Sequence, residues 1–168
     1  MSGVAISEKS EYWRYFTAQF QHADSKHLLN NLFPFLGLGW LLWGYFGFFA
    51  FPIFPLIAGC LANVIAIPSY EANVRLVGIS GTVFAMAGMW SALYIKNDDR
   101  YSIRKRIIRA AGVICILFFP LSLDSNVADR VHILGGIIGG VFGYFGWGQV
   151  KPQRVIEQKN FVRRVRVL

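Results

Sequence analysis

The sequence predicts an all-α membrane protein with five transmembrane helices. Of its 168 residues, 55% are hydrophobic and only 15% are charged, whereas soluble domains carry roughly 25% charged residues. No Asp, Glu, Lys or Arg occurs in the 43 residues from Leu28 to Tyr70, which is enough for two crossings of about 20 residues each. Three further apolar stretches, at 76–95, 107–123 and 131–150, supply the other spans.

The spans follow one another with short connections. They are predicted at 27–48, 53–68, 80–94, 107–123 and 131–147. Pro52 and Pro55 predict the tight turn between the first two spans, because proline disrupts a continuing helix. Each span is expected to be helical, since lipid offers backbone polar groups no partner outside the segment. Residues 1–26 contain no apolar segment that could span, and we expect them at the outer interface.

The basic residues predict the orientation of these spans. Twelve of the 17 Lys and Arg residues lie in the segments 96–109 and 151–168. Five crossings place both segments on the same side, which the positive-inside rule assigns to the cytoplasm. The net charge of +8 is therefore interpreted as a topology signal with some attraction to anionic lipid, and we expect no nucleic-acid partner.

Polar residues at membrane depth are costly and mark candidate sites. His27 and Asn31 are four residues apart in the first span, which puts them on one helix face. Ser80 opens the third span and His132 opens the fifth. Each residue alone has a structural explanation, such as close helix packing or a hydrogen bond between helices. All of them, however, fall near the outer ends of their spans, and this coincidence predicts a functional site.

The spacing of glycines predicts that Ser80 and His132 lie close together. Three glycines share the predicted helix face of His132: Gly135, Gly139 and Gly143. Small residues let one membrane helix approach another closely. On the third span, Ser80, Phe84 and Gly88 share a face in the same way. Close contact between these helices would bring His132 within general-base reach of Ser80, about 2.6–3.2 Å.

Four motifs occur in order along the chain. They are Trp13-Arg14, His22 with His27–Asn31 (H-x-x-x-N), Gly78–Gly81 (G-x-S-G) and His132–Gly139 (H-x-x-G-x-x-x-G). In their order and separations, these motifs resemble those of the rhomboid family of intramembrane serine proteases. The similarity covers about residues 11–148, most of the chain.

The resemblance implies a rhomboid-like polytopic helical bundle with a catalytic dyad. Ser80 would be the nucleophile and His132 the general base, without a carboxylate. His27, Asn31 and the Ser80 backbone N–H would form the oxyanion hole. Supporting roles would fall to His22, Gly78, Gly81, Phe84, Gly135, Gly139, Trp13 and Arg14. Among these, the two glycines beside Ser80 would allow a tight backbone, Phe84 would pack on the imidazole, and Trp13-Arg14 would belong to the outer loop.

The implied function is an intramembrane serine endopeptidase that cleaves transmembrane segments of membrane proteins. It would need no cofactor or metal, and its partners would be transmembrane substrates and membrane lipid. The organisation would be an outer interfacial segment (1–26), a catalytic membrane domain (27–150) and a basic cytoplasmic tail (151–168). The protein would be multi-pass, in an inner or plasma membrane, with a cytoplasmic C-terminus.

Two other functions fit parts of the sequence. A non-catalytic rhomboid-like protein would bind transmembrane segments, but such relatives usually lack the Ser or the His. A transporter or channel would require pore-lining charges on several helices or paired repeats, which the sequence does not offer. Family members typically carry another transmembrane helix before the Trp-Arg loop. The sequence is therefore interpreted either as starting downstream of that helix or as a five-span form.

Overall fold

The computed structural model describes residues 1–118 and 129–146, and the regular elements within these ranges are all helical. The α-helices are α1 (Gly3–Ser7), α2 (Arg14–Thr17), α3 (Ser25–Phe46), α4 (Phe54–Ala66), α5 (Ser80–Asn97), α6 (Ile103–Phe118) and α7 (Asp129–Phe145). A π-turn, Phe49–Ile53, leads into α4, and 3-10 turns occupy Ala18–Phe20 and Ile67–Ser69. The all-helical class predicted from the sequence is confirmed for these residues.

The five predicted spans coincide with helices α3 to α7, with shifted ends. Helix α3 begins at Ser25 because the carboxylate of Asp24 caps it, accepting the backbone N–H of His27 at 2.7 Å. Helix α6 begins at Ile103, four residues before the predicted start of the fourth span. Its first turn is rich in Lys and Arg, which favour helix. Residues 119–123 of the predicted fourth span, residue 147 of the fifth, residues 148–150 and the tail 151–168 lie outside the described residues.

The number of spans is not established by the helices themselves. Within the described residues, one helical segment, Phe49–Ser69, is long and apolar enough to cross a bilayer by itself, with 21 residues and a mean hydropathy of 2.1. Helices α6 and α7 have 16 and 17 residues, and α5 ends in Lys96 and Asn97. The five-span count therefore stays a prediction.

The outward faces of the long helices are apolar. Large side chains with half or more of their surface exposed include Leu29 and Trp40 on α3, Ile65 on α4, Ile116 on α6 and Ile133 on α7. A soluble protein rarely exposes apolar surface this extensively. The distribution is the one expected of a helical bundle whose perimeter contacts lipid.

Helix α5 is the centre of the bundle and packs against α3, α4, α6 and α7. Its buried side chains include Val83, Met86, Met89 and Leu93, which meet Leu38 and Leu42 of α3 in the largest apolar cluster. Because its neighbours surround it, α5 fixes the position of any residue at its ends relative to the other helices.

Glycines bring α5 and α7 into backbone contact. A Cβ atom at Gly135 would overlap the carbonyl oxygen of Gly81, and one at Gly139 would overlap that of Ala85. A Cβ at Gly143 would lie 2.6 Å from the carbonyl oxygen of Met89. Since no side chain fits at these positions, the two helices approach as closely as backbones allow.

Candidate active site

Ser80 is the first residue of α5 and is buried. The preceding turn depends on Gly78, whose φ of +112° is a conformation that side chains disfavour. A Cβ at Gly78 would also lie 2.8 Å from Cε1 of His27. The Gly78 N–H donates to the carbonyl of Ala18 at 3.0 Å, which ties the turn to the 3-10 segment. The local backbone therefore holds Ser80 beside the start of α3.

His132 lies in the first turn of α7, is buried, and stacks on Phe84. The two ring centroids are 4.2 Å apart and the ring planes differ by 8°. Phe84 follows Ser80 by one turn of α5, so both residues lie on the same helix face. Stacking therefore orients the imidazole next to the face that carries the Ser80 hydroxyl.

The backbone contact between α5 and α7 sets the height of His132 relative to Ser80. Gly81 lies against Val131, whose Cγ1 would be 2.7 Å from a Cβ at that position. Gly135 lies over the Gly81 carbonyl on the next turn. No hydrogen bond joins the Ser80 hydroxyl to His132 within the described residues.

His27 and Asn31 occupy the first two turns of α3. The Asn31 side chain is completely buried, and its Nδ2 donates to the carbonyl of His27 at 2.8 Å. One of its two N–H donors is thus taken by its own helix, and its Oδ1 has no partner among residues 1–118 and 129–146. The His27 ring faces Gly78. The structure therefore brings His27 directly to the turn before Ser80 and places Asn31 one helical turn further along α3.

His22 precedes α3 and contacts His27 edge-to-face, with ring centroids 5.4 Å apart. Its Nε2 is buried and has no hydrogen-bond partner in the part of the chain that the structure describes. Burial, and secondarily the charge of His27, lower the pKa of His22 below its usual value. A neutral His22 is therefore favoured beside the start of α3.

Trp13 and Arg14 are not brought to Ser80. Trp13 is largely exposed, and Arg14 pairs with Glu11 within the interfacial segment. This ion pair lowers the pKa of Glu11 and raises that of Arg14. Trp13 is thus exposed and Arg14 partly exposed, and the placement of residues 1–26 at the outer interface stays a prediction.

Three buried polar residues near the site were missed from the sequence: Gln19, Asn63 and Thr82. Asn63 donates from Nδ2 to the carbonyl of Tyr15 at 2.9 Å, anchoring the interfacial segment to α4. Thr82 donates to the side-chain oxygen of Gln19. Polar residues inside apolar spans are a usable signal, and Asn63 and Thr82 carry it. Gln19 lies in a polar segment, where the sequence offers no such signal.

Comparison with known proteins identifies the family. A family model described as Rhomboid domain matches residues 9–149. Rhomboid-related protein 2 of Mus musculus is 28% identical over 148 residues, covering 82% of this chain and 49% of the mouse protein. No solved structure matches significantly. The chain therefore belongs to the rhomboid family, a family of membrane-embedded helical proteins that includes serine proteases. It spans about half the length of the curated relative that it matches.

Proposed function

We propose that this rhomboid is an intramembrane serine endopeptidase in which Ser80 is the nucleophile and His132 the general base. The observation that carries the proposal is the parallel stacking of His132 on Phe84, one turn from Ser80 on the central helix. A base must be held in one orientation to accept the serine proton. The stacking on Phe84 and the close contact of Gly135 with the Gly81 carbonyl both restrict the orientation of His132, which supports the proposal.

The reaction would proceed by acyl transfer. His132 accepts the Ser80 proton as the hydroxyl oxygen attacks the scissile carbonyl, and then donates it to the leaving amine. Water hydrolyses the resulting ester with His132 again as base. His27, the remaining N–H of Asn31 and the Ser80 backbone N–H would donate to the oxyanion. Removing one such donor typically costs about 10²–10³ in turnover.

The site's position favours membrane-protein substrates. In the predicted five-span arrangement, Ser80 and His132 would lie near the outer ends of their helices, where water could reach them. The substrate would be a single-span protein cut near the outer face of its span. Local unwinding must expose its scissile bond, so helix-breaking residues should promote cleavage. The organisation that we propose is an outer interfacial segment (1–26), a catalytic membrane domain (27–150) and a cytoplasmic tail (151–168).

A non-catalytic role in binding transmembrane segments is the second candidate. Two observations favour it: among the residues that the structure describes, no hydrogen bond joins the Ser80 hydroxyl to His132, and an Asn31 donor is held by the carbonyl of His27. A binder of this kind would retain a transmembrane segment without cutting it.

Cleavage of a single-span reporter by the purified protein in liposomes separates the two functions. The parent is compared with Ser80→Ala, His132→Ala and the matched control Ser91→Ala, which changes a serine about three turns further along α5. The protease proposal requires cleavage by the parent and by Ser91→Ala, and its loss in the other two variants. Retention of the intact reporter by a folded parent would support the binding role instead.

A further inference from the structure

The Gln19 side chain joins three parts of the molecule. It belongs to the 3-10 turn of the interfacial segment and is 1% exposed. Its Nε2 donates to the carbonyls of Phe16, in the same segment, and Leu56, in α4, at 3.2 and 3.4 Å. Its Oε1 accepts a hydrogen bond from the Thr82 hydroxyl on α5. Both polar atoms of the amide therefore form hydrogen bonds: the nitrogen to the N-terminal segment and α4, and the oxygen to α5.

The same 3-10 turn holds the chain on both sides of Ser80. Before Ser80, the Gly78 N–H donates to the Ala18 carbonyl at 3.0 Å. After Ser80, Thr82 bonds to the Gln19 side chain. Two successive residues of the 3-10 turn thus bracket the first turn of α5. A shift of this turn would move Ser80 relative to α7, and with it relative to His132.

Gly59 of α4 packs closely against the Gln19 amide and its Thr82 partner. A Cβ at Gly59 of α4 would overlap the Thr82 hydroxyl and lie 2.7 Å from Gln19 Oε1. A buried amide without partners is costly, and buried hydrogen bonds in a low-dielectric interior are strong. Loss of the bond between Gln19 and Thr82 would therefore leave buried polar atoms without a partner, which costs free energy.

We infer that Gln19 is a positioning residue that sets the placement of Ser80 through Thr82. This inference rests on the proposed protease function. Gln19 does not touch the reacting groups, so it acts on turnover by holding the first turn of α5 in register with the interfacial segment. A displacement of reacting groups by about 1 Å can cost about 10²-fold in rate.

Asn63 provides the matched control. It anchors the same interfacial segment to α4 through the Tyr15 carbonyl, and it is buried like Gln19. Its side chain makes no hydrogen bond to α5 within the described residues. Asn63→Leu therefore weakens the anchor without releasing Thr82, whereas Gln19→Met and Thr82→Val remove the link to α5 with little change in volume.

The experiment measures kcat and KM for reporter cleavage, with thermal unfolding of each variant. Gln19→Met and Thr82→Val are expected to lower kcat at least about tenfold with KM within about twofold. The double variant should lose no more than the worse single variant, because both changes break one link. Thr82→Ser keeps the hydroxyl and should restore most of kcat. Asn63→Leu, at a similar loss of Tm, should retain kcat within about threefold.

Several results would overturn the inference. Full kcat in Gln19→Met and Thr82→Val, an additive double variant, or an equal kcat loss in Asn63→Leu would each contradict it. If Gln19→Met does not fold, the comparison of Thr82→Val with Thr82→Ser decides, since neither removes the Gln19 bonds to Phe16 and Leu56. Absence of cleavage by the folded parent would overturn the proposed function and this inference together. If the parent cleaves the reporter and Gln19→Met and Thr82→Val keep its kcat, only this inference would be overturned.

Discussion

At the residue scale, Phe84 fixes the plane of the His132 ring. Parallel stacking at 4.2 Å leaves the imidazole little freedom to rotate, and an aromatic pair contributes about 0.5–1.5 kcal/mol beyond its area. We predict that Phe84→Leu lowers kcat for reporter cleavage about three- to tenfold, since a freely rotating imidazole is less often aligned with Ser80. Phe84→Tyr keeps the ring and should retain most activity. Equal kcat in Phe84→Leu and the parent would exclude an orienting role.

His22 gives a second prediction at this scale, in the pH dependence of stability. Burial lowers its pKa in the folded state, so the unfolded chain binds the proton more tightly. The free energy of unfolding should therefore fall as the pH decreases through the unfolded value of about 6.5. His22→Phe should make the decrease in Tm between pH 7.5 and 5.5 shallower. Parallel curves for parent and variant would show that His22 does not contribute.

At the element scale, some glycines of α7 are required for close contact with α5 and others are not. Gly139 meets the Ala85 carbonyl, whereas the nearest atoms to a Cβ at Gly136 or Gly140 on the same helix are 3.9 Å away. Gly139→Ala should force the helices apart and reduce the free energy of unfolding by about 1–3 kcal/mol. It should also reduce cleavage, since the contact positions His132.

The controls for this prediction are Gly136→Ala and Gly140→Ala. Both have room for a methyl group, and alanine favours helix over glycine by about 1 kcal/mol. Their Tm values should equal or exceed that of the parent. A common destabilisation of all three variants would mean that glycine content, rather than the individual backbone contacts, stabilises the pair of helices.

At the scale of the whole molecule, the orientation of the bundle can be tested by labelling. Asn73 lies in the exposed connection between α4 and α5, and Ser102 lies in the exposed connection between α5 and α6. With Cys60 and Cys115 replaced by alanine, Asn73→Cys should react with an impermeant maleimide added outside intact cells. Ser102→Cys should react only after permeabilisation. The reverse pattern would contradict the orientation derived from the basic residues.

The sequence by itself determined the helical class and the candidate residues. Bilayer physics allows few solutions for a chain with such long uncharged stretches, and the polar residues within those stretches are few enough to single out. Glycine spacing on α7 predicted a close helix contact, because a period of 3.6 residues assigns faces without reference to the partner.

The ends of helices were harder to predict. The predicted third span ends at 94 and the fourth begins at 107, but α5 continues to Asn97 and α6 begins at Ile103. The Arg106 guanidinium donates to the carbonyls of Ile95 and Tyr101, which stabilises the turn between these helices. Long basic side chains can satisfy a helix end while their charge stays near water, so charge alone does not mark a boundary.

Only the tertiary structure decided how the interfacial segment meets the bundle. Gln19 looks like an ordinary polar residue of an outer segment, yet its side chain is buried between α4 and α5. Its burial depends on Gly59 and Thr82, which lie 40 and 63 positions away along the chain. Periodicity and composition report on local faces, whereas a contact at such separation depends on how whole helices pack. That packing places the residues that bracket Ser80.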